Sequence, residues 1–322
     1  MHRFGRGTFV QCEIPPCLER AAATRLMTES LPQGLITVAM PVYNAGEHLR
    51  AAVLSILKQS YTNWEFLILD DGSTDGALES ISDLSDPRIN LRRDGRNVGA
   101  AARLNEAIDL ARGQYLARMD QDDISYPGRF ASQVARLSRD PSLDLVAVRA
   151  IKISARNELV GFFPSPLRHA EICSRPWRGF YLAHPTWMGR IEWFRKYRYG
   201  IPESYLSDDQ ELLLRSYRES TFACVDEIQF AYRIRDRIRL KKHLRIHWTV
   251  MSFQVATFTR RRQFGFALRS AVIYCLRVGR DAWRSLTQAL ALRPAARIPR
   301  GEGEAAIGEW ERLKGTLLER HC

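Results

Sequence analysis

The 322-residue sequence predicts an α/β fold, a mostly parallel, doubly wound sheet followed by a basic helical C-terminal region. Two observations predict the sheet. From residue 35 to about 150, short apolar runs of strand length alternate with segments whose apolar residues recur at helical spacing. Each of the first four runs also ends in a polar cluster, as in open parallel sheets that bind ligands at the carboxyl ends of their strands. A third observation marks off the C-terminal region. Residues 231–300 hold 17 Lys and Arg against Asp236 and Asp281, a net of +15, whereas the whole chain carries +12 and the remainder therefore −3.

Taken in order, residues 1–33 read as a polar leader, with Leu18–Ser30 a short candidate helix broken by Leu31-Pro32-Gln33-Gly34. LITVAM (Leu35–Met40) is the first strand, and Gly46–Gln59 is a helix with Leu49, Val53, Ile56 and Leu57 on one face. Strand Glu65–Leu69, the turn DDGSTD (Asp70–Asp75) and helix Gly76–Leu84 form the second round, and strand Ile89–Arg92 with helix Gly99–Ala111 the third. Strand Gln114–Met119, a polar break at Asp120–Asp123, helix Gly128–Ser138 and strand Leu143–Val148 complete five strand–helix rounds. A hairpin is expected around Arg156-Asn157, mixed fragments follow to Arg233, and helices dominate from Lys241.

Composition narrows the function. With 45% hydrophobic and 26% charged residues the chain is globular, and it has no internal repeat. A confined basic tail on a slightly acidic body is unlike a uniformly basic nucleic-acid binder, and no nucleic-acid module accompanies it. Six scattered cysteines without a CxxC pair read as free thiols in a reducing compartment. The longest uncharged stretches of the C-terminal third, such as Ile246–Thr259, fall well short of the ~20 residues that span a bilayer. The absence of GxxxxGK[ST], and of GxGxxG after the first strand, argues against a P-loop kinase or a Rossmann dehydrogenase.

The polar clusters are Tyr43-Asn44, Asp70-Asp71, Asn97-Val98-Gly99 and Asp120-Gln121-Asp122-Asp123, all at one predicted sheet edge. Ser73 and Asp75 suit a capped turn, but the adjacent carboxylates of Asp70 and Asp71 call for an offset to their repulsion, which a donor-rich ligand would supply. Carboxylates crowded into Asp120–Asp123 form a hard oxygen site suited to Mg²⁺ or Mn²⁺; an acidic capping turn before Pro127 is the plainer reading.

These residues resemble family 2 glycosyltransferases of the GT-A fold. The resemblance is carried by PVYN (Pro41–Asn44), QSYTNWE (Gln59–Glu65), DDGSTD, NVG, RGQYLARMDQDD (Arg112–Asp123), HPT (His184–Thr186) and SDDQELLLR (Ser207–Arg215), from about Leu35 to about Arg233. It implies a GT-A catalytic domain over residues 34–235, with a nucleotide-binding half to about 150 and an acceptor half from about 151, and a basic helical region over 236–322. It further implies a nucleotide-diphosphate sugar donor, UDP-sugar favoured, and an inverting mechanism. Pro41, Tyr43, Asp71, Asn97 and Asp120 would bind the nucleotide sugar, Asp122 the Mn²⁺ or Mg²⁺, and Asp209 would be the catalytic base. Asp123, His184 and Asp208 are further candidates. Asp208-Asp209 also suits a helix start, whose field would tend to keep Asp209 ionised, and His184 also suits a packed core position.

No QxxRW pattern follows Arg215, which argues for addition of a single sugar. The expected acceptor is a hydroxyl of a glycan or lipid-linked chain in cell-surface polysaccharide or lipopolysaccharide synthesis. Arginines interleaved with aromatic residues over Arg233–Arg300 suit either an anionic membrane surface or a helical subdomain packed on the core. A cytoplasmic location is expected, peripheral on the inner face of the cell membrane where the tail binds lipid. The competing functions are a sugar-1-phosphate nucleotidyltransferase, whose glycine-rich basic loop is replaced here by MPVYNAG, and a non-catalytic nucleotide-sugar binding protein, disfavoured by Asp122 and Asp209.

Overall fold

A computed structural model describes residues 34–200, 207–234, 240–289 and 302–318. The predicted leader lies outside them. The described strands are β1 (Ile36–Val42), β2 (Trp64–Asp70), β3 (Ile89–Arg93), β4 (Tyr115–Arg118), β5 (Ile124–Ser125), β6 (Leu145–Ile153), β7 (Leu159–Phe162), β8 (Met188–Arg190) and β9 (Phe222–Arg233). The helices are α1 (Leu49–Leu57), α2 (Ala100–Leu110), α3 (Arg129–Arg139), α4 (His169–Ile172), α5 (Ile191–Lys196), α6 (Asp208–Ser216), α7 (Leu240–Arg260), α8 (Phe264–Ala289) and α9 (Glu302–Leu318).

One sheet runs β3-β2-β1-β4-β8-β6-β9-β5, with β7 on β6. Its first four strands are parallel, with Ile36 of β1 opposite Trp64 of β2 and Tyr115 of β4. β1 and β2 are buried throughout, which is why both read as continuous apolar runs rather than alternating ones. Alternate side chains still go to opposite faces. Ile36, Val38 and Met40 meet Val53 and Ile56 of α1 and Phe130 and Val134 of α3 in one core. Ala39, Leu67 and Leu69 share the other with Leu104 and Ile108 of α2, Trp187 and Phe194.

Within this mostly parallel sheet, antiparallel β8 lies between β4 and β6, and β6 runs parallel to β9. β8 has three residues, too few to show a period in sequence. The Gly76–Leu84 helix is only a 3₁₀ turn, Ala77–Ile81, which buries just Ala77, Leu78 and Ile81. The hairpin at Arg156-Asn157 is present between β6 and β7, with Asn157 at φ 64°.

The helical C-terminal region packs on the core, α7 and α8 against the segment Pro176–Arg178. Gln254 of α7 donates to the Pro176 carbonyl at 3.0 Å, and Phe266 of α8 meets Trp177 with ring centroids 4.7 Å apart. On another side Trp310 of α9 is fully buried among Ala51, Tyr126 and Ile153 and donates its indole N–H to the Asn157 carbonyl at 2.9 Å. Trp310→Ala should therefore cost about 3–5 kcal/mol of stability, as deletion of a packed aromatic does. Urea unfolding of the full chain measures it, and a loss below about 1 kcal/mol would mean that α9 contributes little to the core.

Candidate functional site

At the carboxyl ends of β1, β2 and β4 lies a cavity of about 770 Å³, within the size range of small-ligand sites. Two interlocked turns build its rim. Asn44, at φ 47°, accepts the Thr74 N–H on Oδ1 at 2.9 Å and donates its own N–H to Ser73 Oγ at 3.1 Å. Asp75 accepts the Gly46 and Ala77 N–H groups, so it caps the 3₁₀ turn as expected, while Ser73 serves Asn44 instead. Gly72 sits at φ +77° against the Arg96 and Asn97 backbone, where a side chain would be strained.

The Asp70-Asp71 pair is offset by the protein itself, which corrects the argument for a ligand drawn from it. Asp70 accepts the Ser73 N–H and lies 3.5 Å from Arg93. Asp71, 4% exposed, accepts the Val98 and Gly99 N–H groups and Arg103 Nε. Its contacts tie the second turn to the start of α2, and the residue still lines the cavity. Asn97 is elsewhere. Its amide holds the Asp71 carbonyl at 3.1 Å, and it is not among the cavity-lining residues.

Pro41 and Tyr43 line the cavity, with Tyr43 half exposed. Gln121 clamps the Tyr43 backbone from both sides, accepting its N–H at 2.6 Å and donating to its carbonyl at 3.0 Å. This places an aromatic ring at the mouth, next to the acidic cluster.

Asp120, Asp122 and Asp123 bring carboxylate oxygens within 4.8 Å of one another. Burial, then the charge of Asp120, pushes the Asp122 carboxyl above its ordinary range. Burial, then Asp120 and Asp122, pushes Asp123 well above. Asp123 is 1% exposed; its Oδ1 accepts the Arg233 N–H at 2.7 Å, and its Oδ2 is buried without a hydrogen-bond partner. Crowded hard oxygens with an orphaned buried acceptor fit a divalent cation. The acidic capping turn does not describe them, because Asp123 reaches across to β9.

Two arginines partly balance the acids. Arg118, at the end of β4, pairs with Asp120, and although burial opposes its charge, Asp120, Tyr199 and Asp123 together more than offset this. Arg233 of β9 donates to the Asp122 and Ser154 carbonyls. Beneath them Arg129 of α3 is fully buried, donating to the Arg118 and Trp187 carbonyls at 2.8 and 3.2 Å and to Gln133. Burial, then Arg118, lowers its pKa to about 9. Arg129 therefore holds the end of β4 where Asp120 begins.

His184 is packed, with its Nε2 2.8 Å from the Tyr199 hydroxyl and its ring edge-on to Trp187. Burial, then Arg118, drives its pKa well below the ordinary value, so it is neutral. Asp208 and Asp209 open α6 behind Ser207. Neither lines the cavity, but Asp209 interacts electrostatically with Arg118, Tyr199 and Tyr232, the first and last of them cavity residues. Gln210 donates to Asp209 Oδ2 at 3.0 Å while its amide pairs with the Phe180 backbone. Burial raises the Asp209 carboxyl despite these donors.

Sequence reasoning missed His48, Arg118, Tyr232, Arg233, Lys242, His243 and Ile246 among the lining residues. Arg118 had a signal, a cation at the end of the otherwise apolar run YLAR. His48 lies just before α1, whereas Tyr232 and Arg233 come from distant β9 and Lys242, His243 and Ile246 from α7.

Residues 37–198, half of the chain, match the sequence model for glycosyl transferase family 2. The chain is 33% identical over 132 residues to the Escherichia coli UDP-Glc:alpha-D-GlcNAc-diphosphoundecaprenol beta-1,3-glucosyltransferase WfgD, covering 41% of this chain and 51% of that one. Thus it spans about half the length of that relative. It is 28% identical over 239 residues to an uncharacterized glycosyltransferase of Methanocaldococcus jannaschii, covering 69% and 82% of the two chains. Among solved structures, the mannosyltransferase PcManGT from Pyrobaculum calidifontis, in complex with GDP-Man and Mn²⁺, superposes with a TM-score of 0.58 over 93% of this chain and 88% of that one, at 15% identity. That likeness shows a shared GT-A fold.

Proposed function

The chain belongs to glycosyl transferase family 2, and from that premise we propose that it moves one sugar, with inversion, from a nucleotide-diphosphate sugar to a hydroxyl of a glycan or lipid-linked acceptor in cell-surface polysaccharide synthesis. The observation that carries the proposal is the Asp120, Asp122 and Asp123 cluster at the strand ends, in a cavity with Tyr43 at its mouth. A UDP-sugar and a lipid-linked acceptor are favoured by the name of the Escherichia coli relative.

Tyr43 stacks on the base, Asp71 orients the nucleoside, and Asp120 approaches the ribose. Mn²⁺ or Mg²⁺ would be held by Asp122 with Asp120 and Asp123 beside it, and when bound would supply Lewis-acid stabilisation of the diphosphate. Asp209 takes the proton of the acceptor hydroxyl as that oxygen attacks the anomeric carbon. The bond from that carbon to the diphosphate oxygen breaks, and its electron pair leaves with the diphosphate. One in-line displacement inverts the centre. A raised pKa suits Asp209 to this task, since a general base works best with a pKa near the operating pH.

A thermal-shift screen of UDP-, GDP- and dTDP-sugars with Mn²⁺ tests the donor. The right nucleotide at 100 times its Kd should add about 2.7 kcal/mol of stability, and more than either competitor at equal concentration. No stabilisation by any of the three would contradict the proposal.

A further inference from the structure

Helix α8 packs one side on the protein and leaves another bare. At about 100° per residue, Phe264, Leu268, Val272, Leu276, Trp283 and Leu286 fall within an arc of about 120°. All six are exposed, from 51% at Val272 to 67% at Leu268. The stripe is ~33 Å long at 1.5 Å per residue. No charged residue interrupts it, because Gly265, Cys275, Gly279 and Ala282 fill the positions between. Beside it run Arg269, Arg280 and Arg284, all exposed.

The only acid of α8, Asp281, is turned inward. It is 2% exposed and accepts from Arg280, His243 and His247; burial pushes it up, but those donors outweigh burial and hold it at about 2. α7 has no acid at all. The bare face is therefore apolar along its middle, cationic along one edge, and free of negative charge.

We propose that this face of α8 seats the protein on an anionic lipid surface, lying in the plane of the interface. Charge and shape select that occupant. A second copy docked face to face would offer the arginine edge no acid to pair with, because this face carries none. An anionic bilayer instead offers hydrocarbon to the stripe, headgroup charge to the arginines and an interfacial layer to Trp283. Among the described residues no helix is long and apolar enough to cross a membrane. The consequence for catalysis rests on the transfer reading above, although the lipid contact does not. Lys242, His243 and Ile246 of neighbouring α7 line the cavity, so a seated hairpin carries the cavity wall to the surface that holds a lipid-linked acceptor.

The test is flotation of the full chain with phosphatidylcholine vesicles, with and without phosphatidylglycerol. The protein should float only with the anionic vesicles and be released as salt rises, since screening shortens the reach of charge to about 8 Å at physiological ionic strength. The double variant Leu268→Glu/Leu276→Glu should lose at least about tenfold in binding, and Arg284→Ala about fivefold. Both should keep the melting temperature and donor affinity of the wild type, because those side chains face solvent. Asp122→Ala should float like the wild type, so a failure of the transfer reading would not disturb this result. Flotation of the double-Glu variant equal to the wild type would overturn the proposal. So would a wild type that ignores anionic vesicles, including one that sedimentation shows to be a dimer which the double-Glu variant splits.

Discussion

Asp209→Asn should leave donor binding nearly unchanged and lower transfer by roughly 10²–10⁴-fold, the usual worth of a general base. The side chain keeps its shape and its place in the first turn of α6, so Gln210 can still hold the Phe180 backbone. Only basicity is lost. Asp208→Asn should cost less, because the second acid of the pair is the one assigned the proton. The pH profile adds an independent readout. With the Asp209 pKa raised by burial, its proton is retained to higher pH, and transfer should fall as pH drops through a value above the ordinary ~3.9 of an aspartate. By linkage, this group's contribution to stability is largest when protonated and is lost as pH rises from the unfolded value through the folded one. A dead Asp208→Asn beside an active Asp209→Asn would move the base by one residue, and full activity of both would remove the pair from the mechanism.

Asp122→Ala should abolish detectable transfer and the Mn²⁺-dependent part of nucleotide affinity together. The substitution removes one of three mutually repelling carboxylates, so it should not unfold the protein; relief of that repulsion should preserve or raise the melting temperature without metal. The metal effect should also be steeper at neutral pH than in acid, because protons compete for carboxylates whose pKa values are raised. Activity of the variant equal to the wild type in the presence of a chelator would separate this cluster from the chemistry.

The parallel half of the fold was legible because β1, β2 and β4 are local and buried on both faces, so each shows a mostly apolar run of strand length. The acidic cluster was legible for the same reason of locality, since Asp120, Asp122 and Asp123 lie within four residues. What surrounds them was not. Arg233, Tyr232 and His243 reach the cavity from β9 and α7, and no spacing in the chain encodes that meeting. β8 escaped because three residues carry no period. Asn97 shows a different limit, for a motif can mark a turn without saying whether its side chain faces a ligand or, as here, ties down the backbone of Asp71. The alternatives for the basic tail also proved less exclusive than they read, because α7 and α8 pack on the core while α8 keeps an apolar face exposed.

The most direct test of the site is calorimetric titration of the full chain with the nucleotide sugar chosen by thermal shift, in Mn²⁺ and again in EDTA, beside Asp122→Ala. The cavity predicts one donor per chain in Mn²⁺, sharply weaker binding in EDTA, and the same weak binding for Asp122→Ala in either buffer. Equal affinity in all four titrations, or no nucleotide-sugar binding by the wild type in Mn²⁺, would contradict it.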